Sequence, residues 1–354
     1  MKRKLLMILA ACLLLSGCSG WMDGSHVTVT NHREQTSGSQ SSALSAADYT
    51  QLLVVLEQLV ESGMESGVIN VAEYDQEQLE RGIKRAVHYV STQYPLGAYA
   101  IDALTYEIGD GGGQPAISVN ISYIHGRSEI RQIQKTVDME DAWKKITDVL
   151  DSCGEGVVLL VDEYEQTDLA QMTEDFAVEH PDIVMETPQV AVGVYPETGS
   201  SRVLELKFTY QTSRDVLRQM QSQVQKVFSS AAYYIDSDSG EVQKYTQLYS
   251  FMMERFDYTV ETSITPSYSL LIHGVGDSKA VAMAYAAMCR QAGLECQIVS
   301  GTRAGESWYW NLIRCDGAYF HVDLLKCDET GVFECLTDDQ MQGYVWDYSA
   351  YPAA

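Results

Sequence analysis

The stretch from Leu271 to Asp323 constrains the fold more than any other part of the chain. A loop holding Gly274 and Gly276 leads into small and apolar residues, Ala280, Val281, Ala284, Tyr285, Ala287 and Met288, which predict a buried helix. Gly293 stands where that helix would stop, because glycine takes the left-handed closing conformation without a Cβ penalty. Three strand-like runs follow: Glu295 to Gly301, Trp308 to Arg314, and Ala318 to Leu325. Asp316-Gly317 between the last two predicts a two-residue hairpin turn. In that register residues 310 and 323 face each other, as do 312 and 321, so Trp308, Trp310, His321 and Asp323 share one face.

The Gly-x-Gly loop, the helix, Trp310-Asn311 and His321-Val322-Asp323 resemble the core of the transglutaminase-like superfamily, which has a papain-like layout. The run Glu254-Arg255-Phe256-Asp257-Tyr258 and the segment from Pro266 to Ser269 are similar to the family's approach to its nucleophile. The resemblance covers the last part of the chain, and implies a Cys nucleophile opening the helix, a His base on the next strand but one, and an Asp orienting the His. Laid on this sequence without gaps, those positions are Ser278, Trp308 and Asp323. Only the Asp is kept. A serine hydroxyl needs a positioned base, and an indole N–H can only donate. The expected domain is therefore a pseudoenzyme, with Ser278, Trp308, Trp310, His321 and Asp323 as candidate cleft residues for a peptide, protein or cell-wall ligand. One alternative makes His321 a substitute base for Ser278, with Asp323, in a hydrolase or acyltransferase. Another is a purely structural or assembly role in which the repeated units make the contacts.

At the other end, Met1-Lys2-Arg3-Lys4 is basic and Leu5 to Leu15 is an apolar run too short to span a bilayer as a helix. Leu15-Ser16-Gly17-Cys18 resembles the bacterial lipobox, which implies a signal peptide over residues 1–17 and acylation of Cys18 as the first mature residue. The chain would then be exported and lipid-anchored to the outer face of the bacterial cell membrane. Residues 18–46, rich in Ser, Thr, Gly and Gln, read as a flexible tether. The formal charge is −25, and becomes −28 without residues 1–17, which hold three bases and no acid. Such a charge argues against nucleic acid as a partner.

Six cysteines remain beyond Cys12 and Cys18: Cys153, Cys289, Cys296, Cys315, Cys327 and Cys335. With a loop over Ala304 to Ser307, strand counting puts Cys296 opposite Cys315, a candidate disulfide in an oxidising compartment. No Cys/His spacing resembles a metal site, and no cofactor is implied.

Between the two ends the chain reads as α+β, with a helix over 47–67 followed by two copies of one unit, 68–152 and 153–235. At an offset of 87 residues, Tyr123 to Gln134 aligns with Tyr210 to Gln221, with five of twelve positions identical. The alternating set Ile117, Val119, Ile121 and Tyr123 lands on Leu204, Leu206, Phe208 and Tyr210. Helical positions Ile130, Ile133 and Val137 land on Leu217, Met220 and Val224. Each unit is thus expected to run strand–helix–strand–strand–helix. The last domain, 236–354, would open on a helix capped by Asp238, with Glu241 three residues on.

Overall fold

The computed structural model describes residues 44–256 and 259–354. The expected signal peptide, Cys18 and all but the end of the 18–46 tether lie outside the described residues. Among the described residues no helix is long and apolar enough to cross a membrane.

Asp48 caps helix α1 (Tyr49–Glu61) by accepting from the Gln51 N–H at 2.8 Å. The stripe Leu52, Val55, Leu56 and Leu59 is its buried face. Helix α2 (Gln76–Thr92) packs on α1 with Leu79, Ile83, Ala86 and Val90. The short helix α3 (Pro95–Ala100) then leads into a hairpin. The first sheet orders its strands β1 (Ser66–Asn70), β3 (Pro115–Tyr123), β2 (Ile101–Asp110), all antiparallel.

The second sheet contains β4 (Gln134–Asp138), β5 (Gly156–Glu163), β6 (Gln189–Tyr195) and β7 (Arg202–Thr209), in the order β4-β5-β7-β6. Its β5-β7-β6 part has the order and antiparallel sense of β1-β3-β2. Val119 lies between Gly67 and Tyr106, and Leu206 lies between Val157 and Val192.

The helix expected over Ile130 to Val137 does not form. A single turn, α4 (Arg127–Ile130), gives way to β4, and Val137 is exposed. Thr136 and Val137 are β-branched and suit a strand, while Asp138 caps the next helix, α5 (Met139–Asp151), at 2.9 Å from the Asp141 N–H. β4 pairs in parallel with β5, and α5 buries Ala142, Ile146 and Leu150 against Val157, Leu159 and Val161. The passage between sheets therefore falls near Gln132, not at the expected 152/153 boundary.

The boundary expected at 235/236 divides a core as well. Helix α6 (Leu169–Glu179) stays with the second sheet. Helix α7 (Arg214–Tyr234), in contrast, sends Leu217, Val224, Phe228 and Ala231 into the C-terminal core beside Tyr245, Phe251, Leu270 and Tyr285. Arg214 and Arg218 donate to the carbonyls of Ser152 and Asp151 at 3.0 and 2.9 Å, cations placed at the negative end of α5. Helix α8 (Glu241–Met253) is capped at Gly240, whose N–H donates to Gln243 Oε1 at 3.4 Å; Asp238 sits in the preceding turn instead.

The third sheet is antiparallel, in the order β10 (Ala318–Val322), β9 (Glu306–Cys315), β8 (Cys296–Arg303), β11 (Tyr344–Trp346). Helix α9 (Pro266–His273) precedes α10 (Ser278–Gln291), the buried helix that the sequence predicts. Its many alanines let it approach the sheet closely enough for Asn311 Nδ2 to donate to the Ala282 carbonyl at 3.0 Å. Ile313, Cys315 and Val322 face that core, while Val299, Trp310 and Leu312 pack on the other side against Met341, Tyr344 and Trp346.

Asp316 and Gly317 both take positive φ, 49° and 83°, and join Cys315 to Ala318 as a two-residue turn. The β8–β9 loop is equally short: Ala304 and Gly305 have φ of 53° and 87°, and Arg303 pairs with Glu306. This corrects the expected loop over Ala304 to Ser307. Cys296 consequently faces Ile313 rather than Cys315, and all six described cysteines are free thiols.

Candidate functional site

The site begins where the chain turns into α10. Gly274 closes α9 with φ of 72°, in the left-handed region. Gly276 is needed for space, since a Cβ there would come within 3.1 Å of Leu270 and 3.2 Å of Ala280. Asp277 caps α10 by accepting from the Ala280 N–H at 2.9 Å. Ser278, the first helical residue, is buried, and its Oγ accepts from the Tyr309 N–H at 3.2 Å. The position predicted for a nucleophile is thus pressed against β9.

Trp308 and Asp323 do meet. The Trp308 indole N–H donates to Asp323 Oδ2 at 2.9 Å, and an indole N–H can only donate. The Tyr344 hydroxyl donates to the same oxygen at 2.6 Å, and Arg303 Nη1 lies 3.5 Å from it. Asp323 Oδ1 accepts from the Lys326 N–H at 3.2 Å, which caps helix α11 (Leu324–Thr330). The expected strand to Leu325 therefore ends at Val322. Burial, then the bond to Asp323, pushes the Tyr344 phenol far above its usual range, so it stays a donor. Arg303 stacks over Trp308 at 5.1 Å and binds Glu329 at 2.9 Å, closing the cluster from outside. Nothing in the local sequence marks Arg303 and Tyr344 as partners of Asp323; the folded chain brings them there.

His321 is committed elsewhere. Its Nδ1 accepts from the Trp310 indole N–H at 2.9 Å, so Nε2 carries the proton and donates to Asp338 Oδ1 at 2.9 Å. Trp346 packs edge-on against the ring at 4.7 Å. Both ring nitrogens of His321 are thus engaged by Trp310 and Asp338, whereas its shared face with Asp323 suggests a partnership with Ser278. Burial lowers its pKa below the ordinary 6.5, with Asp338 opposing. The unfolded chain then binds a proton that the folded chain refuses, so stability is full above about pH 6.5 and falls as the pH drops through the window beneath. His180 adds to the same slope, lowered by burial and then by Arg290. In urea titrations between about pH 7.5 and about pH 5.5, His321→Gln is expected to flatten this slope in part. An unchanged slope would show that His321 binds protons equally in the folded and unfolded chains, and would overturn the lowered pKa.

The expected cleft is filled. Ser278, Trp310, His321 and Asp323 are 7%, 1%, 0% and 3% exposed, and Trp308 is half-buried. The open space lies alongside: a groove of about 600 Å³ between α6 and the α10–β8–β9 face. Glu174, Asp175 and Glu179 line one wall, with Lys279, Arg290 and Tyr309 opposite. The Lys279 ammonium sits 5.6 Å from the Tyr309 ring centre, and Arg290 binds Asp182 at 3.3 Å. Among the described residues Glu241, Cys315 and Asp316 bring three ligand-type atoms within 4.8 Å of one another. Hydrogen bonding accounts for much of that grouping, since the Asp316 N–H donates to Glu241 Oε2 at 2.7 Å.

Residues 229–346 match the transglutaminase-like superfamily, the region that carries α8 to α11 and the third sheet. The chain is similar to a crystallised TGase at 11% identity, over 61% of this chain and 63% of the other, with a TM-score of 0.26. A candidate cysteine protease from Cytophaga hutchinsonii shares 9% identity over 44% and 70% of the two chains, with a TM-score of 0.27. A candidate protease from Parabacteroides distasonis shares 9% over 72% and 39%, with a TM-score of 0.24. The chain thus spans less than two thirds of the TGase's length. No curated protein matches it. The chain carries a transglutaminase-like domain over residues 229–346, within a mixed α+β architecture.

Proposed function

We propose that the chain is a binding protein lipid-anchored to the outer face of the bacterial cell membrane, whose transglutaminase-like domain does no covalent chemistry. The observation that carries this reading is the Trp308 indole N–H donating to Asp323 at 2.9 Å, in the place where the family needs an imidazole. General-base help contributes roughly 10²–10⁴-fold to reactions of this kind, and indole offers no lone pair for it. Ser278 has meanwhile lost the easily ionised thiol. The ligand is held in the groove beside α10, not among the buried polar residues. Acidic side chains on one wall and Lys279 with Tyr309 on the other suit a peptide or cell-wall fragment bearing both an amine and a carboxylate. Residues 18–46 tether this domain to an acylated Cys18, and the two related sheet units act as the scaffold that supplies α6.

The experiment is a panel of peptide, ester and amine-donor substrates, joined to thiol- and serine-directed covalent probes. Wild type is expected to turn over none of them and to leave Ser278 unlabelled. Soluble cell-wall peptides are expected to bind, with affinity reduced about tenfold or more by Tyr309→Ala or Lys279→Glu. Turnover that Ser278→Ala abolishes would replace this reading with a catalytic one.

A further inference from the structure

The floor of the groove holds a thiol with a second thiol behind it. Cys296 lines the groove and is half-buried, whereas Cys289 is fully buried in α10. The chain reversal between them brings the pair together. Helix α10 ends in a turn in which Gly293 takes φ of 73° and the Leu294 N–H donates back to the Cys289 carbonyl at 2.9 Å. β8 starts two residues later, so Cys296 lies back over the last turn of the helix. Cys289 belongs to the C-terminal core and Cys296 packs against that core from the groove side, its thiol pointing at the Gln297 carbonyl at 4.0 Å. Tyr245 and Tyr285 enclose the pair on the inner side, Tyr285 donating to the Tyr245 carbonyl at 2.8 Å.

We propose that Cys296 and Cys289 are a thiol–disulfide exchange site opening into the groove, taking a low-molecular-weight disulfide as oxidant. Cys296, the reachable sulfur, gives up its proton to water and attacks one sulfur of the oxidant. A mixed disulfide forms and one thiolate leaves. Cys289 then attacks Cys296 Sγ, passing its proton to the second departing thiolate. Two protein thiols and one disulfide become one protein disulfide and two small thiols, so electrons and protons balance. The order follows from access and ionisation. Burial raises the Cys289 pKa well above its usual range, which makes it the poorer first nucleophile and suits it to the second, intramolecular step. The product pins the end of α10 to the start of β8 and removes a polar thiol from the groove floor. It also replaces the Cys296–Cys315 pairing expected from strand counting, which the two-residue β8–β9 turn forbids.

The test uses the full chain and does not depend on the lipid anchor or on any ligand of the groove. Reduced protein is incubated with oxidised glutathione, denatured, alkylated and mapped by mass spectrometry. Two thiols are expected to escape alkylation, in a single cross-linked species joining the peptides of Cys289 and Cys296. Cys289→Ala should trap glutathione on Cys296, and Cys296→Ala should leave Cys289 unmodified. Circular dichroism of both variants confirms that they remain folded, and alkylation of native wild type should reach Cys296 before Cys289. A bridge between other cysteines, such as Cys327 and Cys335, would overturn the proposal. So would an unmodified Cys296 in folded Cys289→Ala, or full alkylation of wild type after oxidation.

Discussion

Replacing Asp323 with Ala is expected to destabilise the transglutaminase-like domain by about 3–5 kcal/mol, the cost of breaking a buried charged network from one side. Asp323 is 3% exposed and accepts from Trp308, Tyr344 and the Lys326 N–H, with Arg303 beside it. Its loss strands an indole N–H and a phenol, uncaps α11, and leaves Arg303 with Glu329 as its remaining carboxylate partner. Urea unfolding followed by tryptophan fluorescence should show a midpoint lower by about 1–2 M. Asp323→Asn should lose less, because the amide keeps one acceptor and much of the shape. An orienting carboxylate in a working triad would show the opposite balance, with activity falling steeply and stability little. A wild-type midpoint for Asp323→Ala would mean that the carboxylate is not the centre of the filled cleft.

Cys18→Ala is expected to move the whole protein from the membrane fraction to the soluble one. On the lipoprotein reading, the acyl groups on Cys18 are the attachment. Electrostatics offers no substitute: without residues 1–17 the chain carries −28, which anionic lipid repels. Acylation contributes about 0.8 kcal/mol per buried methylene, and stable anchoring takes more than one chain or signal, so the transition should be close to all-or-none. Metabolic labelling with a palmitate analogue should mark wild type and spare Cys18→Ala. A labelled or membrane-retained variant would end the lipoprotein reading.

The features legible in the sequence are those that neighbours along the chain decide. The buried face of α1 follows from the spacing of Leu52, Val55, Leu56 and Leu59. Asp316-Gly317 specifies its turn because both residues tolerate positive φ, and Gly274 and Gly293 mark helix ends for the same reason. The expectation that Ser278 and Trp308 stand where the family resemblance implies a Cys and a His likewise comes from the chain itself.

Tertiary structure decided the rest. Gln134–Asp138 is a strand because β5 offers it a parallel partner, an interaction between residues some twenty-five positions apart that outweighs a helical reading of Ile130, Ile133 and Val137. Ala304-Gly305 forms a tight turn with weaker local chemistry than Asp-Gly, and that one register choice separated Cys296 from Cys315. Trp308, Trp310, His321 and Asp323 share a face as the alternation requires, yet alternation says nothing about what covers that face. Tyr344 reaches Asp323 from 21 positions away and Asp338 reaches His321 from 17, and these late-chain residues turned an expected cleft into a closed polar network. The physical reason is that backbone conformation is encoded over one or two turns, whereas the burial of a charge requires every one of its partners to arrive, and they arrive only when the chain has folded.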